Sequence, residues 1–135
     1  MYKRRNLIIG RLHLNSSGGI EFKAKANFKE TRVKARLNAK IKRAQMKLDT
    51  QIVADSNYFV PNKTGTLQKS GIINTVIGSG LVVWHTPYAR RQYYGEWFDH
   101  SKQHNPNACA KWFEAAKARK LEQWRRLVDD EIKRS

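Results

Sequence analysis

Apolar side chains recur at every second position from Ile20 through Phe22, Ala24 and Ala26 to Phe28, with Glu21, Lys23 and Lys25 between them. A repeat of two sends alternate side chains to opposite faces of a pleated strand, so the segment predicts a strand with its apolar face inward. Upstream, Leu7, Ile9, Leu12 and Leu14 flank Arg11 and His13, and Asn15-Ser16-Ser17-Gly18-Gly19 is a turn cluster. Residues 1–27 therefore read as a hairpin whose first residues fray or serve as an arm. The period then changes. Val33, Leu37, Ile41, Ala44, Leu48, Ile52 and Phe59 recur at three, four or seven residues, one stripe on a helix of about seven or eight turns. Neither glycine nor proline interrupts residues 29–60. The helix is expected to end at Phe59-Val60-Pro61, because proline disfavours helical backbone in the residue before it.

Residues 62–68 read as loop. Ile72, Ile73, Val76 and Ile77 predict a strand, and Gly78-Ser79-Gly80 a tight turn into a second strand from Leu81 to Thr86. The run Leu81-Val82-Val83-Trp84 has no polar alternation, which predicts burial on both faces. Pro87 ends this strand by removing a ladder donor. Residues 88–95 fit a short helix stopped at Gly95, and residues 96–107 a loop. Asn107 is the expected N-cap of a second long helix with Phe113, Ala116, Leu121, Trp124, Val128 and Ile132 on its apolar face. The pattern is α+β: two long helices on a small antiparallel sheet, with an extended hairpin and an N-terminal arm. A chain of 135 residues without repeats or linkers makes one domain, residues 1–27 forming the arm and hairpin and 28–135 the core.

Charge adds a partner class. The chain carries 27 Lys and Arg against 11 Asp and Glu, a net +16, with the excess greater in residues 1–60. Such a charge attracts polyanions with steep salt dependence, or sets the rate and register of docking on an acidic protein. On the first long helix Lys40, Arg43 and Lys47 share a face with few acids to offset them, so a basic face is expected there. One cysteine, Cys109, excludes an internal disulfide and fits a reducing compartment. No window approaches the roughly 20 apolar residues of a membrane span. The apolar part of the N-terminal segment is only Leu7 to Ile9, too short for an export signal.

Catalytic patterns are missing. His100 and His104 are four apart but lie in a loop, beside Asp99, with no second pair to complete a metal site. Ser70 with His85, and Cys109 with His104, have no orienting carboxylate in a recognisable arrangement. Phosphate-binding, dinucleotide and zinc-knuckle motifs do not occur. No enzyme activity, cofactor or metal is expected. The prominent chemistry is instead aromatic and basic: Tyr88, Arg90, Arg91, Tyr93, Tyr94, Trp97 and Phe98 follow closely on Trp84. Three readings fit: a packed core, an assembly surface enriched in Tyr, Trp and Arg, and a stacking platform for single-stranded nucleic acid. Trp84, on the apolar strand, is expected in the core, and Trp97 and Phe98, in a polar loop, at an interface.

A set of short motifs in fixed order completes the reading: Phe59-Val60-Pro61, Thr64-Gly65-Thr66-Leu67, Ser70-Gly71, the valine-rich strand, Thr86-Pro87-Tyr88-Ala89-Arg90, Tyr94-Gly95 and Lys111-Trp112-Phe113-Glu114-Ala115-Ala116. In this order the chain resembles the minor capsid proteins of long-tailed bacteriophages of Gram-positive hosts, over about its last two thirds. The resemblance implies a structural virion protein of the neck, a head–tail connector or tail-completion component. Such a subunit would form a homo-oligomeric ring around the DNA channel, meet neighbouring neck and tail proteins, touch DNA non-specifically, and be assembled in the host cytoplasm without a membrane. The alternative from composition is a non-specific basic nucleic-acid-binding protein.

Overall fold

The computed structural model describes residues 6–14, 19–27, 35–61, 64–95 and 105–134. In chain order the elements are β1 (Asn6–Leu14), β2 (Ile20–Asn27), α1 (Ala35–Asn57), α2 (Thr66–Asn74), β3 (Leu81–Trp84), α3 (Ala89–Tyr94) and α4 (Trp112–Lys133). The fold is α+β. β2 is the central strand, antiparallel to β1 on one side and β3 on the other. β1 and β2 pair antiparallel as the expected hairpin requires, the arm at 1–5 and the turn at 15–18 lying outside the described residues, and the alternation in β2 holds, with Ile20, Phe22 and Ala24 completely buried.

α1 and α4 pack against each other and cover the sheet. Ala44, Leu48 and Ile52 of α1 meet Phe113, Ala116, Trp124, Val128 and Ile132 of α4 in one core, with Leu37, Ile41 and Leu121 half-buried at its margin. Phe22 joins sheet to helix, its ring stacked on Phe113 at 4.3 Å between centroids. Trp112 stands edge-on to Trp84 at 6.0 Å and to Tyr93 at 4.7 Å. Edge-to-face aromatic contacts add to the free energy of burying the rings. Trp84 is fully buried, as its strand position implies.

Several expectations are corrected. The strand expected at Ile72, Ile73, Val76 and Ile77 does not form. Thr66–Asn74 is helical, so loop gives way to helix at Thr66, and the four aliphatic side chains are exposed. β3 pairs with β2 instead, through Phe22 opposite Val82 and Ile20 opposite Trp84. The pairing fails between residues 72–77 and β3 because α2 occupies that edge. The Thr75 hydroxyl accepts the Val83 N–H at 3.0 Å, and the Ser70 hydroxyl accepts the His85 N–H at 3.2 Å. β3 is also shorter than expected and alternates, with Val82 and Trp84 buried but Leu81 and Val83 only half-buried. It is an edge strand with one inward face.

Asn107 does not cap α4. The helix starts at Trp112 after Lys111, which takes a left-handed backbone conformation with φ 53°. Asn105 organises this approach by donating to the carbonyls of Tyr58 at 3.0 Å and Val60 at 2.9 Å, while its side-chain oxygen accepts the Asn107 N–H at 3.1 Å. The short helix at α3 is present, and the Gly95 N–H closes it on the Arg91 carbonyl at 2.8 Å. Among the described residues no helix is long and apolar enough to cross a membrane.

Candidate functional site

The motifs that carry the resemblance converge on one corner of the fold. The chain leaves α1 through Phe59 and Val60, both buried, and the Phe59 carbonyl accepts the Cys109 N–H at 3.0 Å. Gly65, at φ 79°, turns the backbone into α2. Leu67, Ser70 and Gly71 are the buried face of that helix. Gly71 lies so close to the Trp84 indole that a Cβ built on it would fall 2.4 Å from Nε1. The same Nε1 donates to the Asn57 side-chain oxygen at 2.9 Å, tying β3 to the end of α1. The Lys111 N–H donates to the Tyr93 carbonyl at 2.8 Å, which docks the start of α4 on α3. Most motif residues thus build the core, and only a few reach the surface.

Two of those, with Arg91, form an edge on α3. Tyr88 and Tyr94 are each 40% exposed, and Arg91 is exposed between them on α3. Arg90 is half-buried and its Nε donates to the Gly19 carbonyl at 3.3 Å, fixing α3 against the start of β2. Tyr93, expected in the interface set, is a core residue: it is 1% exposed and packs on Phe22 and Trp112. Trp97 and Phe98 lie outside the described residues, as do Asp99, His100 and His104. Beside the edge is a shallow cleft lined by Pro61, Thr64, Gly65, Thr66, Tyr88 and Gln92, so two motifs far apart in sequence share one depression.

The serine and histidine that sequence places across a turn do not form a nucleophile and base. The Ser70 hydroxyl donates to the Leu67 carbonyl at 2.7 Å and accepts from the backbone of His85, not its ring. The His85 ring lies against the Gly19 backbone. Cys109 is half-buried beside the core.

The basic face on α1 has an internal partner. Lys47 Nζ is 2.6 Å and Arg43 Nε 3.7 Å from the two carboxylate oxygens of Glu131 on α4. The Lys47 hydrogen bond, with the nearby charges of Lys47, Arg134 and Arg43, holds the Glu131 carboxyl below its ordinary value against the opposing effect of burial. Lys40 is half-buried on α1, one turn before this pair. This cross-helix pairing has no signature in local spacing.

Two further features escape sequence reasoning. Asp49, fully buried on α1, accepts the N–H groups of Gly78 at 2.7 Å and Gly80 at 3.1 Å, and the Gln45 side chain at 2.8 Å. Burial pushes its carboxyl upward, opposed chiefly by the Gly80 amide. It staples the turn that positions β3, a turn built on two glycines with positive φ. The second feature is an aliphatic patch of Ile72, Ile73, Val76, Ile77 and Met46 on the surface. Among the described residues no group of three or more His, Cys, Asp or Glu is placed to hold a metal.

Neither a curated protein nor a solved structure matches the chain. A sequence model of the family described as minor capsid protein matches residues 22–130, from the middle of β2 to the last turns of α4. That span takes in both halves of the aromatic core, the α2 cap on β3 and the α3 edge, and the chain belongs to the minor capsid protein family, structural proteins of the bacteriophage virion.

Proposed function

We propose that this virion protein is a neck subunit that closes into a ring at the head–tail interface, around the channel through which DNA passes. The observation that carries the proposal is the exposed Tyr88, Arg91 and Tyr94 edge. It rests on a packed scaffold and faces no enclosed cavity, as suits a protein contact rich in Tyr and Arg. A closed ring needs two different surfaces that meet head to tail. Of the two sheet edges, β3 is capped by the hydroxyls of Ser70 and Thr75. The outer edge of β1 pairs with no strand among the described residues, and an open edge can accept a strand from a neighbouring subunit.

Immunogold labelling of purified particles with an antibody to this chain tests the position. Label is expected at the junction of head and tail, and label over the head shell or along the tail would refute it. Ring formation is tested by native mass spectrometry of the assembled neck with wild type and with Tyr88→Ala plus Tyr94→Ala. The wild type is expected as a multimer and the variant as a folded monomer.

A second reading, non-specific binding to nucleic acid, is favoured by the net charge of +16. It predicts retention of the free protein on random duplex DNA near physiological salt. In the neck reading, DNA contact is a secondary property of the assembled channel.

A further inference from the structure

The patch on α2 and the turn after it is unusual for the surface of a free domain. Ile73 is 78% exposed, Val76 71% and Ile72 64%. Met46 on α1 lies against this turn, its Cγ within 3.2 Å of a Cβ built on Gly78. Ile77 continues the patch into a groove that it lines with Met46, Lys47, Thr50, Gln51 and Leu127. Contiguous exposed aliphatic surface with a polar rim marks a contact site.

Among the described residues the uncommitted charges beside the patch are basic. Lys69 stands three and four residues before Ile72 and Ile73 on the exposed side of α2. Lys25 lies beside Gly80, and Lys47 lines the groove itself with its ammonium held by Glu131. Among the described residues no acid lines the groove. The nearest acid in this turn, Asp49, is buried and committed to the amides of Gly78 and Gly80.

This charge arrangement selects the occupant. Two copies meeting patch to patch would set these lysines against one another. The other exposed aromatic surfaces are no better counterpart for a second copy. Tyr88 and Tyr94 flank Arg91, and Tyr58 lines a depression with Arg119, Lys120 and Asp55, whose carboxylate is already committed to Gln51 and Trp124. We infer that the patch docks a different protein of the particle, through a segment that presents aliphatic side chains flanked by Asp or Glu. Burial of the aliphatic side chains supplies affinity, and Lys25 and Lys69 steer the encounter and reject basic partners. The inference holds wherever in the particle the subunit sits.

Phage carrying a photo-crosslinking p-benzoylphenylalanine at Ile73 test it directly. Irradiation of purified particles is expected to join this site to another chain, through a peptide that contains both aliphatic and acidic residues. A cross-link within the same chain, to a second copy, to a peptide without acids, or to nothing would overturn the inference. Lys25→Glu with Lys69→Glu is expected to lower the yield at least about tenfold by like-charge repulsion, and an unchanged yield would also overturn it. Ile73→Asp and Val76→Asp are expected to keep the wild-type melting temperature but to be lost from particles. Normal incorporation of the folded variants would contradict the assignment. The ring position can fail by labelling while this contact survives, and the reverse.

Discussion

Gly71 and Trp84 show how a single contact fixes the corner that the family motifs build. A helical glycine replaced by alanine ordinarily gains about 1 kcal/mol. Here the added methyl would sit 2.4 Å from the indole nitrogen, and the indole is held from the other side by its bond to Asn57. Overpacking of this kind costs about 1–3 kcal/mol, so Gly71→Ala is expected to destabilise despite better helix propensity. Trp84→Phe should rescue part of that loss, because it removes the clashing atom, while Trp84→Ala alone should cost about 3–5 kcal/mol. Urea midpoints of the single and double variants give the coupling, and strictly additive costs would contradict the contact. A second residue-scale prediction concerns pH. The Glu131 carboxyl is held below its ordinary 4.5, first by the Lys47 hydrogen bond, so ionised Glu131 stabilises above 4.5 and that contribution is lost as pH falls below it. Asp49 acts in the opposite sense: its carboxyl is raised above 3.8 by burial, so its contribution is greatest below that value and declines as pH rises. Because Asp49 is common to both proteins, the melting temperature of Glu131→Gln should fall less than that of wild type on acidification through 4.5. Parallel curves would show that the pair carries no pH dependence. None of these contacts was legible beforehand. Ser70-Gly71 stood out as a motif, but the reason for its glycine lies on another strand.

At the scale of elements, the long amphipathic helices and β2 were legible because one face of each meets the core, so period alone reveals them. α2 was not. Ile72, Ile73, Val76 and Ile77 are β-branched and apolar, which signals a strand, yet the structure puts them outside and assigns the inward face to Leu67, Ser70 and Gly71. A pattern rule assumes that apolar residues point inward, and it fails where a surface keeps them for a partner. The capping role of α2 leads to a test. Ser70→Ala removes the acceptor of the His85 amide just past β3, and Thr75→Val that of the Val83 amide, each a part-buried bond worth about 0.5–1.5 kcal/mol. Hydrogen exchange at the amides of His85 and Val83, respectively, should quicken. Exchange at the core amides would change only by the global loss of stability. α1 and α4 are joined by a charge contact where the sequence led us to expect a basic face for an external partner. Arg43→Glu with Lys47→Glu would place three carboxylates at the Glu131 site, so the melting temperature should fall. Lys40→Glu, half-buried but outside this pair, should lower it far less. Equal melting temperatures for the two variants would return Arg43 and Lys47 to the solvent.

The whole molecule carries its +16 unevenly in function, because part of the basic surface is spent inside the fold. Arg43 and Lys47 are engaged by Glu131, and Arg90 is engaged by the Gly19 carbonyl. Among the described residues Lys25, Lys69 and Arg91 pair with no acid, and they lie beside the two surfaces proposed for contact. This division separates what salt should do to each. If the free subunit binds duplex DNA as its main activity, log affinity should fall steeply with log salt, in proportion to the phosphates neutralised. If the charges mainly steer docking on protein, raising salt should slow association strongly and change dissociation little, since the apolar contact remains. The neck reading therefore predicts, for wild type, weak retention on random DNA at physiological salt, together with salt-sensitive association onto neck-deficient particles. Lys25→Glu with Lys69→Glu should reduce that association rate while leaving any DNA retention nearly unchanged, because two charges of many contribute little to a diffuse polyanion contact. Arg43→Glu with Lys47→Glu should act on both chiefly through loss of fold. Filter binding across a salt series and the kinetics of particle rescue measure the two slopes on the same preparations. Tight, steeply salt-dependent DNA retention with salt-insensitive rescue would favour the nucleic-acid reading over the neck ring.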